Sequence, residues 1–206
     1  MEKLGLTLNK PMKKNKLIAI TGGIGSGKTY ALNVLKMAGY NVLSADQITF
    51  DLYQKRSVKK LLKKMFPTAV TGKCKLTVDK KEIADIAFSN KVKYEELTST
   101  VTPLVLKEIK KRTKRLKGLV FVEVPLLFER GYQNEFDFVL VITRPLEERI
   151  ESVKTRSKLN EKEILARVNA QVDYDKLDLS NYTVIENDGG KAFKELLLAF
   201  PQQLME

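Results

Sequence analysis

A glycine-rich segment near the amino terminus carries the clearest chemical signal in the sequence. Residues 22–29 read Gly-Gly-Ile-Gly-Ser-Gly-Lys-Thr, which fits the pattern G-x-x-x-x-G-K-[ST] of a phosphate-binding loop. Glycines reach backbone angles that side chains forbid, so that N–H groups can close on phosphate oxygens. In such a loop Lys28 bridges the β- and γ-phosphates and the Thr29 hydroxyl ligates Mg²⁺. The loop therefore predicts that the chain binds a nucleoside triphosphate.

Two carboxylates lie at or just after short apolar runs that predict β-strands. Asp46 comes two residues after the run Asn41–Ser44, and Glu123 lies near the end of the run Leu119–Val124. Parallel strands end at the ligand crevice of such a sheet. Asp46 is therefore a candidate to take a proton from an attacking hydroxyl, and Glu123 to hold Mg²⁺ through water. The alternatives are an N-cap at Asp46 for a helix over 47–53, and a bond from Glu123 to a loop.

Three arginines follow the predicted fourth strand, on two predicted helices: Arg149, Arg156 and Arg167. A guanidinium group in this region can stabilise phosphate oxygens as charge moves in a transition state. A surface ion pair within a helix is the alternative for any one of them.

Composition excludes several kinds of site. The chain has 206 residues, one cysteine and no histidine. It therefore has no Ser-His-Asp triad, Cys-His pair, imidazole zinc site or internal disulfide, and a carboxylate is the expected general base. No apolar run reaches the roughly 18 residues of a membrane span, and no secretory signal is recognisable. We expect a cytoplasmic protein.

The charge leaves three interpretations open. The chain carries 37 basic and 25 acidic side chains, a net charge of +12. Much of the excess lies in the stretches Lys3–Lys16, Lys55–Lys64 and Lys107–Lys117. Such a surface suits a nucleic-acid binder or an enzyme whose substrates carry several phosphates. A solvated basic surface is the third interpretation.

The candidate residues need a framework that brings strand ends together. Apolar runs alternate with helical patterns, which predicts a parallel α/β sheet with crossover helices. Five strands are expected, over Leu17–Thr21, Asn41–Ser44, Leu119–Val124, Phe138–Ile142 and Thr183–Ile185. Helices of this sheet are expected over Lys28–Ala38, from Pro145, over Glu161–Gln171 with Asn160 as cap, and over Lys191–Phe200.

The middle of the chain has a different pattern, because no strand is predicted between the second and third strands of the sheet. Helices are predicted there over Ser57–Phe66, Asp79–Phe88, Lys91–Ser99 and Pro103–Leu116. Thr102 followed by Pro103 is typical of an N-cap and a first helical position. A helical block between two strands predicts an inserted subdomain.

From about Lys16 to Leu198 the chain resembles the dephospho-coenzyme A kinases. The resemblance is carried by the glycine loop, by Ser44-Ala45-Asp46, by Pro-Leu-Leu-Phe-Glu at 125–129 and by Val-Ile-Glu-Asn-Asp-Gly at 184–189. Many kinases share the loop, whereas the segment 125–129 is more particular. Members of this family transfer the γ-phosphate of ATP to the ribose 3′-hydroxyl of dephospho-coenzyme A, the last step of coenzyme A synthesis.

The resemblance implies a three-layer P-loop kinase fold in the α/β class, with a five-stranded parallel sheet, an inserted helical substrate subdomain and a lid. The implied boundaries are a flexible basic extension over 1–15 and one domain over 16–206. Within that domain the core covers about 16–50 and 117–206, the insertion about 51–116 and the lid about 145–172. ATP, Mg²⁺ and dephospho-coenzyme A are the implied cofactors and substrate. A monomer is expected, with no nucleic acid and no membrane as partner.

The resemblance also implies roles for single residues. Asp46 is the implied base toward the ribose hydroxyl, Lys28 the phosphate-bridging cation and Arg156 the lid arginine. The implied Mg²⁺ ligands are Thr29 and Glu123. The implied nucleotide-binding residues are Gly23, Ile24, Gly25, Ser26, Gly27, Lys28, Thr29, Tyr30, Asn187 and Gly189. The implied substrate-binding residues are Asp46, Leu126, Leu127, Phe128 and Glu129.

The chain differs from the usual family pattern at several positions: Ser44, Phe50, Thr102, Glu123, Ser152 and Ser157. Three rival functions remain: a nucleoside or nucleotide kinase, a nucleic-acid-binding P-loop protein, and an inactive descendant that serves as a scaffold. The segment 125–129 argues against the first rival. The absence of aromatic residues from Lys107–Lys117 argues against the second.

Overall fold

The structure is a computed structural model that describes residues 15–157 and 160–205. It contains two compact units, one formed by the chain up to Ser44 and from Arg115 onward, the other by Ala45–Lys114. The predicted extension over 1–15 lies outside the described residues, except for Asn15.

The strands and helices follow in chain order. The strands are β1 (Asn15–Thr21), β2 (Asn41–Ser44), β3 (Val70–Thr71), β4 (Thr77–Val78), β5 (Gly118–Glu123), β6 (Phe138–Thr143) and β7 (Thr183–Glu186). The helices are α1 (Lys28–Met37), α2 (Ala45–Gln54), α3 (Arg56–Met65), α4 (Lys80–Ser89), α5 (Lys91–Thr113), α6 (Leu146–Arg156), α7 (Glu161–Asn169) and α8 (Lys191–Gln203).

The first unit is built on a parallel sheet of five strands in the order β2-β5-β1-β6-β7. The predicted parallel sheet and its five strands are confirmed. The three inner strands, β5, β1 and β6, are near-continuous apolar runs and are mostly buried, as strands covered on both faces should be. The edge strands β2 and β7 are partly exposed. Between the sheet and the helices α1 and α8 lies a core of fully buried side chains that includes Ile18, Leu35, Phe121 and Phe193. Each such side chain stabilises the fold by about 1.5–3 kcal/mol.

The register of the sheet determines where the glycine loop begins. β1 is the central strand, and its Ile20 lies opposite Glu123 of β5 while Thr21 lies opposite Val141 of β6. On the far side of β5, Ser44 of β2 also lies opposite Glu123. The carboxyl ends of these strands therefore meet at one edge of the sheet, where the loop leaves β1 at Gly22.

The second unit contains four helices, α2–α5, and a small antiparallel hairpin of β3 and β4. The expectation of an uninterrupted helical block was wrong at this hairpin. Its strands have two residues each, too short to show a periodicity in the sequence. Gly72 supplies the positive φ of 92° that the turn after β3 requires.

A single helix, α5, replaces the two helices predicted over Lys91–Ser99 and Pro103–Leu116. Thr102 is therefore inside a helix and not its N-cap. Proline removes one backbone N–H from the helical ladder, but tertiary packing outweighs that loss here. Val101, Val105 and Ile109, spaced four residues apart, are all buried and carry the helix across Pro103.

Ionic hydrogen bonds join α2 to α5 within this second unit. Arg112 on α5 donates to Asp51 on α2 at 2.9 Å and to Glu108 at 3.2 Å. Lys55, just after α2, donates to Glu108 at 2.9 Å. The pKa of Glu108 is lowered, first by the Lys55 bond and then by Arg112, so the carboxylate keeps its charge.

The start of α2 corrects one alternative for Asp46. The helix begins at Ala45, so Asp46 lies in its first turn and is not the N-cap. Its side chain is exposed. Within residues 15–157 and 160–205, no helix is both long and apolar enough to cross a lipid bilayer.

Candidate active site

The glycine loop connects the buried strand β1 to the helix α1. Gly27, with a φ of 98°, is the N-cap of α1, and among the described residues no side chain caps this helix. The first backbone N–H groups of a helix have no partner within the helix and favour an anion. The loop thus presents N–H groups and a positive helix end at the carboxyl edge of the sheet.

Lys28 is held across the beginning of the loop. Its Nζ donates to the carbonyl oxygens of Gly22 and Gly23, at 2.8 Å each. The residue is only 8% exposed. The ammonium group is therefore fixed beside the loop, at the place from which a lysine of such a loop reaches bound phosphates.

Thr29 and Glu123, predicted to share a magnesium ion, are in direct contact. The Thr29 hydroxyl in the first turn of α1 donates to Oε1 of Glu123 at the end of β5, at 2.8 Å. Glu123 is 8% exposed. A hydroxyl and a carboxylate are the hard oxygen ligands that Mg²⁺ takes, and Mg²⁺ commonly completes its shell with water and substrate phosphates. The pair therefore fits a magnesium site.

Asn187 fastens the turn after β7 to the glycine loop. Its Nδ2 donates to the carbonyl oxygen of Ser26 at 2.8 Å, and its Oδ1 accepts from the N–H of Gly189 at 2.9 Å. The side chain is buried. A Cβ at Gly27 would overlap the Asn187 amide, so only glycine allows this close approach. The two segments predicted to hold the nucleotide are thus brought together.

A cleft of about 280 Å³ opens between these segments. Its lining residues are Gly25, Gly27, Thr29, Tyr30, Arg144, Ser152, Arg156, Asn187, Gly189 and Phe193. The rings of Tyr30 and Phe193 are stacked, with centroids 6.0 Å apart. One part of the lining is formed by the glycine loop, which suits phosphates. Another part is formed by aromatic and amide side chains, which suit a planar base.

The region predicted as a lid contains α6 and α7. Asn160 and Glu163 form a complete capping box at the start of α7, as the predicted Asn160 cap required. Arg156 is exposed at the end of α6 and lines the cleft. Arg167 is exposed on α7 and is not among the described residues that line it.

The segment 125–129 follows β5 at the same edge of the sheet. Leu127 is fully buried, whereas Leu126, Phe128 and Glu129 are partly exposed. The Phe128 ring meets that of Tyr182 edge to face, with centroids 5.1 Å apart. Leu127 anchors the segment, and Leu126 and Phe128 keep part of their surface exposed. Oε2 of Glu129 is buried and has no hydrogen-bond partner among the described residues.

Gln171 was missed by the sequence analysis as a site residue. Its Oε1 accepts from the N–H of Ile24 at 2.6 Å, and its Nε2 donates to the carbonyl oxygen of Pro125 at 3.4 Å. The following N–H, of Val172, donates to Oε1 of Glu129 at 3.0 Å. The segment after α7 therefore ties the glycine loop to the segment 125–129. No local sequence pattern predicts the contact between Ile24 and Gln171, because the two residues are 147 positions apart.

Tyr174 was also missed. Its hydroxyl is 3.2 Å from Oγ1 of Thr21, directly before the glycine loop. Burial raises the pKa of Tyr174 to about 12, so the phenol stays neutral and keeps its hydrogen bond near neutral pH.

Asp46, the predicted base, belongs to the second unit. It follows Ser44, the last residue of β2, by two positions along the chain, and Ser44 lies opposite Glu123 in the sheet. Together, the residues of the first unit provide a phosphate cradle, a fixed lysine, a pair of magnesium ligands and a cleft for a base. This set is suited to binding and activating a nucleoside triphosphate.

The comparisons with known proteins agree on one family. The family model described as dephospho-CoA kinase matches residues 16–192. A relative named dephospho-CoA kinase from Thermus thermophilus is 36% identical over 174 residues, which is 84% of this chain and 83% of the relative.

Two solved structures have the same fold. One, from Thermus thermophilus, aligns with a TM-score of 0.82 at 34% identity and covers 94% of this chain and 100% of its own. The other, a dephospho-CoA kinase from Campylobacter jejuni, aligns with a TM-score of 0.61 at 24% identity and covers 93% and 98%. The predicted P-loop kinase fold is confirmed.

Proposed function

Because the chain belongs to the dephospho-CoA kinase family, we propose that it transfers the γ-phosphate of ATP to the ribose 3′-hydroxyl of dephospho-CoA, giving CoA and ADP. Its family membership shows that it is a kinase and assigns it to CoA biosynthesis. The single observation that carries the chemistry is the joint placement of Lys28 and the Thr29–Glu123 pair at the loop. A cytoplasmic, monomeric protein remains a prediction.

The donor half of the reaction follows from the first unit. The N–H groups of the loop and the Lys28 ammonium would hold the β- and γ-phosphates. Thr29 and Glu123 would hold Mg²⁺, which supplies neutralisation of the negative charge on those phosphates. Tyr30, Asn187 and the backbone at Gly189 would border the adenine in the cleft.

The acceptor half assigns Asp46 as the general base. An exposed carboxylate that follows the end of β2 can orient the ribose hydroxyl and take its proton as the new P–O bond forms. The leaving oxygen is that of ADP, and the proton moves from the hydroxyl to Asp46. Transfer is in line, so orientation of the hydroxyl carries much of the rate enhancement.

The remaining assignments concern the substrate and the lid. We assign dephospho-CoA contacts to Leu126, Phe128 and Glu129, with Leu127 as their buried anchor, and to the helical unit Ala45–Lys114. Arg156 would bind the phosphates from α6, because it already lines the cleft. Exclusion of water by the lid would prevent hydrolysis of ATP.

One experiment tests the base assignment and the substrate together. Asp46→Asn should keep its fold and its affinity for ATP but lose about 10²–10⁴-fold in turnover of dephospho-CoA. Turnover is followed by the release of ADP in a coupled assay, and 3′-phosphorylation of dephospho-CoA is confirmed in the product. Nucleosides and nucleotides serve as competing acceptors. Glu195→Gln, which neutralises an exposed carboxylate of α8, is the control and should behave as the unmodified protein.

Three results would contradict this proposal. Near-normal turnover of Asp46→Asn would exclude the carboxylate as base. Faster phosphorylation of a nucleoside or nucleotide than of dephospho-CoA would make the chain a kinase of another substrate. Tight, salt-sensitive RNA binding without any transfer would favour the nucleic-acid-binding rival.

A further inference from the structure

Arg149, on α6, is packed directly against the glycine loop. A Cβ at Gly23 would overlap the terminal nitrogen of the Arg149 guanidinium group, and a Cβ at Gly25 would overlap the Arg149 carbonyl oxygen. The first turn of α6 thus contacts the loop at two glycines. We propose that Arg149 binds the terminal phosphate of the bound nucleoside triphosphate, beside Lys28.

The guanidinium group of Arg149 is not fully satisfied by the protein. Within the described residues its Nε is buried and has no hydrogen-bond partner. A buried donor on a charged group that lacks a partner is costly. Asp173 is near enough to be attracted, but that carboxylate already receives a hydrogen bond from Lys176 at 2.9 Å. An anionic ligand would supply the missing acceptor.

Two positive charges converge on one end of the loop. The Lys28 ammonium donates to the Gly23 carbonyl oxygen at 2.8 Å, and the Arg149 guanidinium lies against the same glycine. A lysine of such a loop reaches the β- and γ-phosphates. We infer that the guanidinium at the same glycine binds the γ-phosphate, the group that is present in ATP and missing from ADP.

The chemistry of the two cations is complementary. An ammonium group is a compact charge with freely directed donors, whereas a guanidinium group presents a planar fork that matches two phosphate oxygens. Lys28 would bridge two phosphates and Arg149 would bind two oxygens of the last one. This arrangement stabilises the charge on the phosphoryl group as it is transferred.

The test compares two nucleotides in the absence of dephospho-CoA. Binding of the non-hydrolysable analogue AMP-PNP and of ADP, each with Mg²⁺, is measured by calorimetry on the whole chain and on Arg149→Gln. Glutamine keeps most of the aliphatic stem that packs on the loop. We expect AMP-PNP binding to weaken about 10–100-fold, the cost of a charged hydrogen bond, and ADP binding to change less than about twofold.

Two further variants make the result specific. Arg149→Lys keeps the charge without the fork and should lose an intermediate amount of AMP-PNP affinity. Lys162→Ala removes an exposed charge from α7 and should leave both affinities unchanged. Equal weakening of AMP-PNP and ADP in Arg149→Gln would show that Arg149 only supports the loop, and would overturn the proposal. So would unchanged binding of both nucleotides.

The inference rests on the proposed function only in taking ATP as the nucleotide. Because the binding experiment contains no acceptor, a chain that fails to phosphorylate dephospho-CoA can still show the expected loss of AMP-PNP affinity. Conversely, the unmodified chain can phosphorylate dephospho-CoA while Arg149→Gln binds AMP-PNP with full affinity. That result would refute the role of Arg149 and leave the proposed function intact.

Discussion

The contact between Thr29 and Glu123 allows a quantitative test of the magnesium site. Thr29→Val is nearly isosteric and removes the hydroxyl that donates to Glu123 at 2.8 Å. Glu123→Gln keeps an acceptor oxygen and removes the charge. If both side chains hold the same ion, each change should weaken the gain in nucleotide affinity that Mg²⁺ provides.

The magnitude follows from the contact itself. A hydrogen bond to a charged group contributes about 1.5–3 kcal/mol when buried. Glu123 is 8% exposed but Thr29 lies at the surface, so water can replace part of the loss and we take about 1.4 kcal/mol, a tenfold effect. Two independent losses would multiply to about 100-fold, whereas two ligands of one ion should fall short of that product.

The assay measures the affinity for AMP-PNP with Mg²⁺ and again with EDTA. The ratio of the two affinities is the gain that Mg²⁺ provides. We expect this ratio to fall about tenfold in Thr29→Val and in Glu123→Gln, and by about 10–30-fold in the double variant. Thr29→Ser keeps the hydroxyl and serves as the control. A ratio that is unchanged in Glu123→Gln, or that falls by the full product in the double variant, would refute a shared magnesium site.

Two predictions concern stability. Burial raises the folded-state pKa of Tyr174 to about 12, above the unfolded value of about 10. The contribution of this phenol to the free energy of unfolding is therefore complete below pH 10 and is lost as the pH rises toward 12. Burial also raises the pKa of Tyr53 to about 12, so the measured quantity is the difference between two proteins. The free energy of unfolding, from thermal or urea unfolding, should fall by about 1.4 kcal/mol more by pH 11 in the unmodified protein than in Tyr174→Phe; equal losses in both proteins would contradict this origin. Pro103→Ala should stabilise the helical unit by about 1–3 kcal/mol, because alanine restores the helical N–H at a small entropic cost in the unfolded chain. Hydrogen exchange over α5 measures this, and a destabilised α5 would show that Pro103 makes a packing contact that alanine lacks.

The sheet could be predicted from the sequence because its three inner strands, β1, β5 and β6, are mostly buried. Each is a short apolar run such as Leu119–Val122, and a glycine or charged residue marks most of the ends. The helical unit was predicted less well. At Pro103 the local rule for helix starts gave the wrong boundary, since buried residues on both sides of the proline decide the outcome.

The residues of the candidate site also differ in how well the sequence predicts them. Residues whose role is local could be predicted from the sequence, as Lys28 and Thr29 show in the spacing of one loop. Gln171 and Tyr174 could not be identified in this way, because their contacts with Ile24 and Thr21 span 147 and 153 residues. Arg149 was a candidate from its place after the fourth strand, but its contact with Gly23 could not be predicted, because that contact depends on how α6 packs. The assignments of Asp46 and Arg156 stay predictions, since they concern groups that act on a bound substrate.

The hydrogen bonds that hold Lys28 to the loop carbonyls also bear on the kinetics of nucleotide binding. The ammonium group is aligned before any phosphate arrives, so an incoming nucleotide does not wait for a long side chain to find its rotamer. Association should then be governed by diffusion and by attraction between the anion and a chain of net charge +12. Differences in affinity among nucleotides should appear chiefly as differences in residence time on the loop.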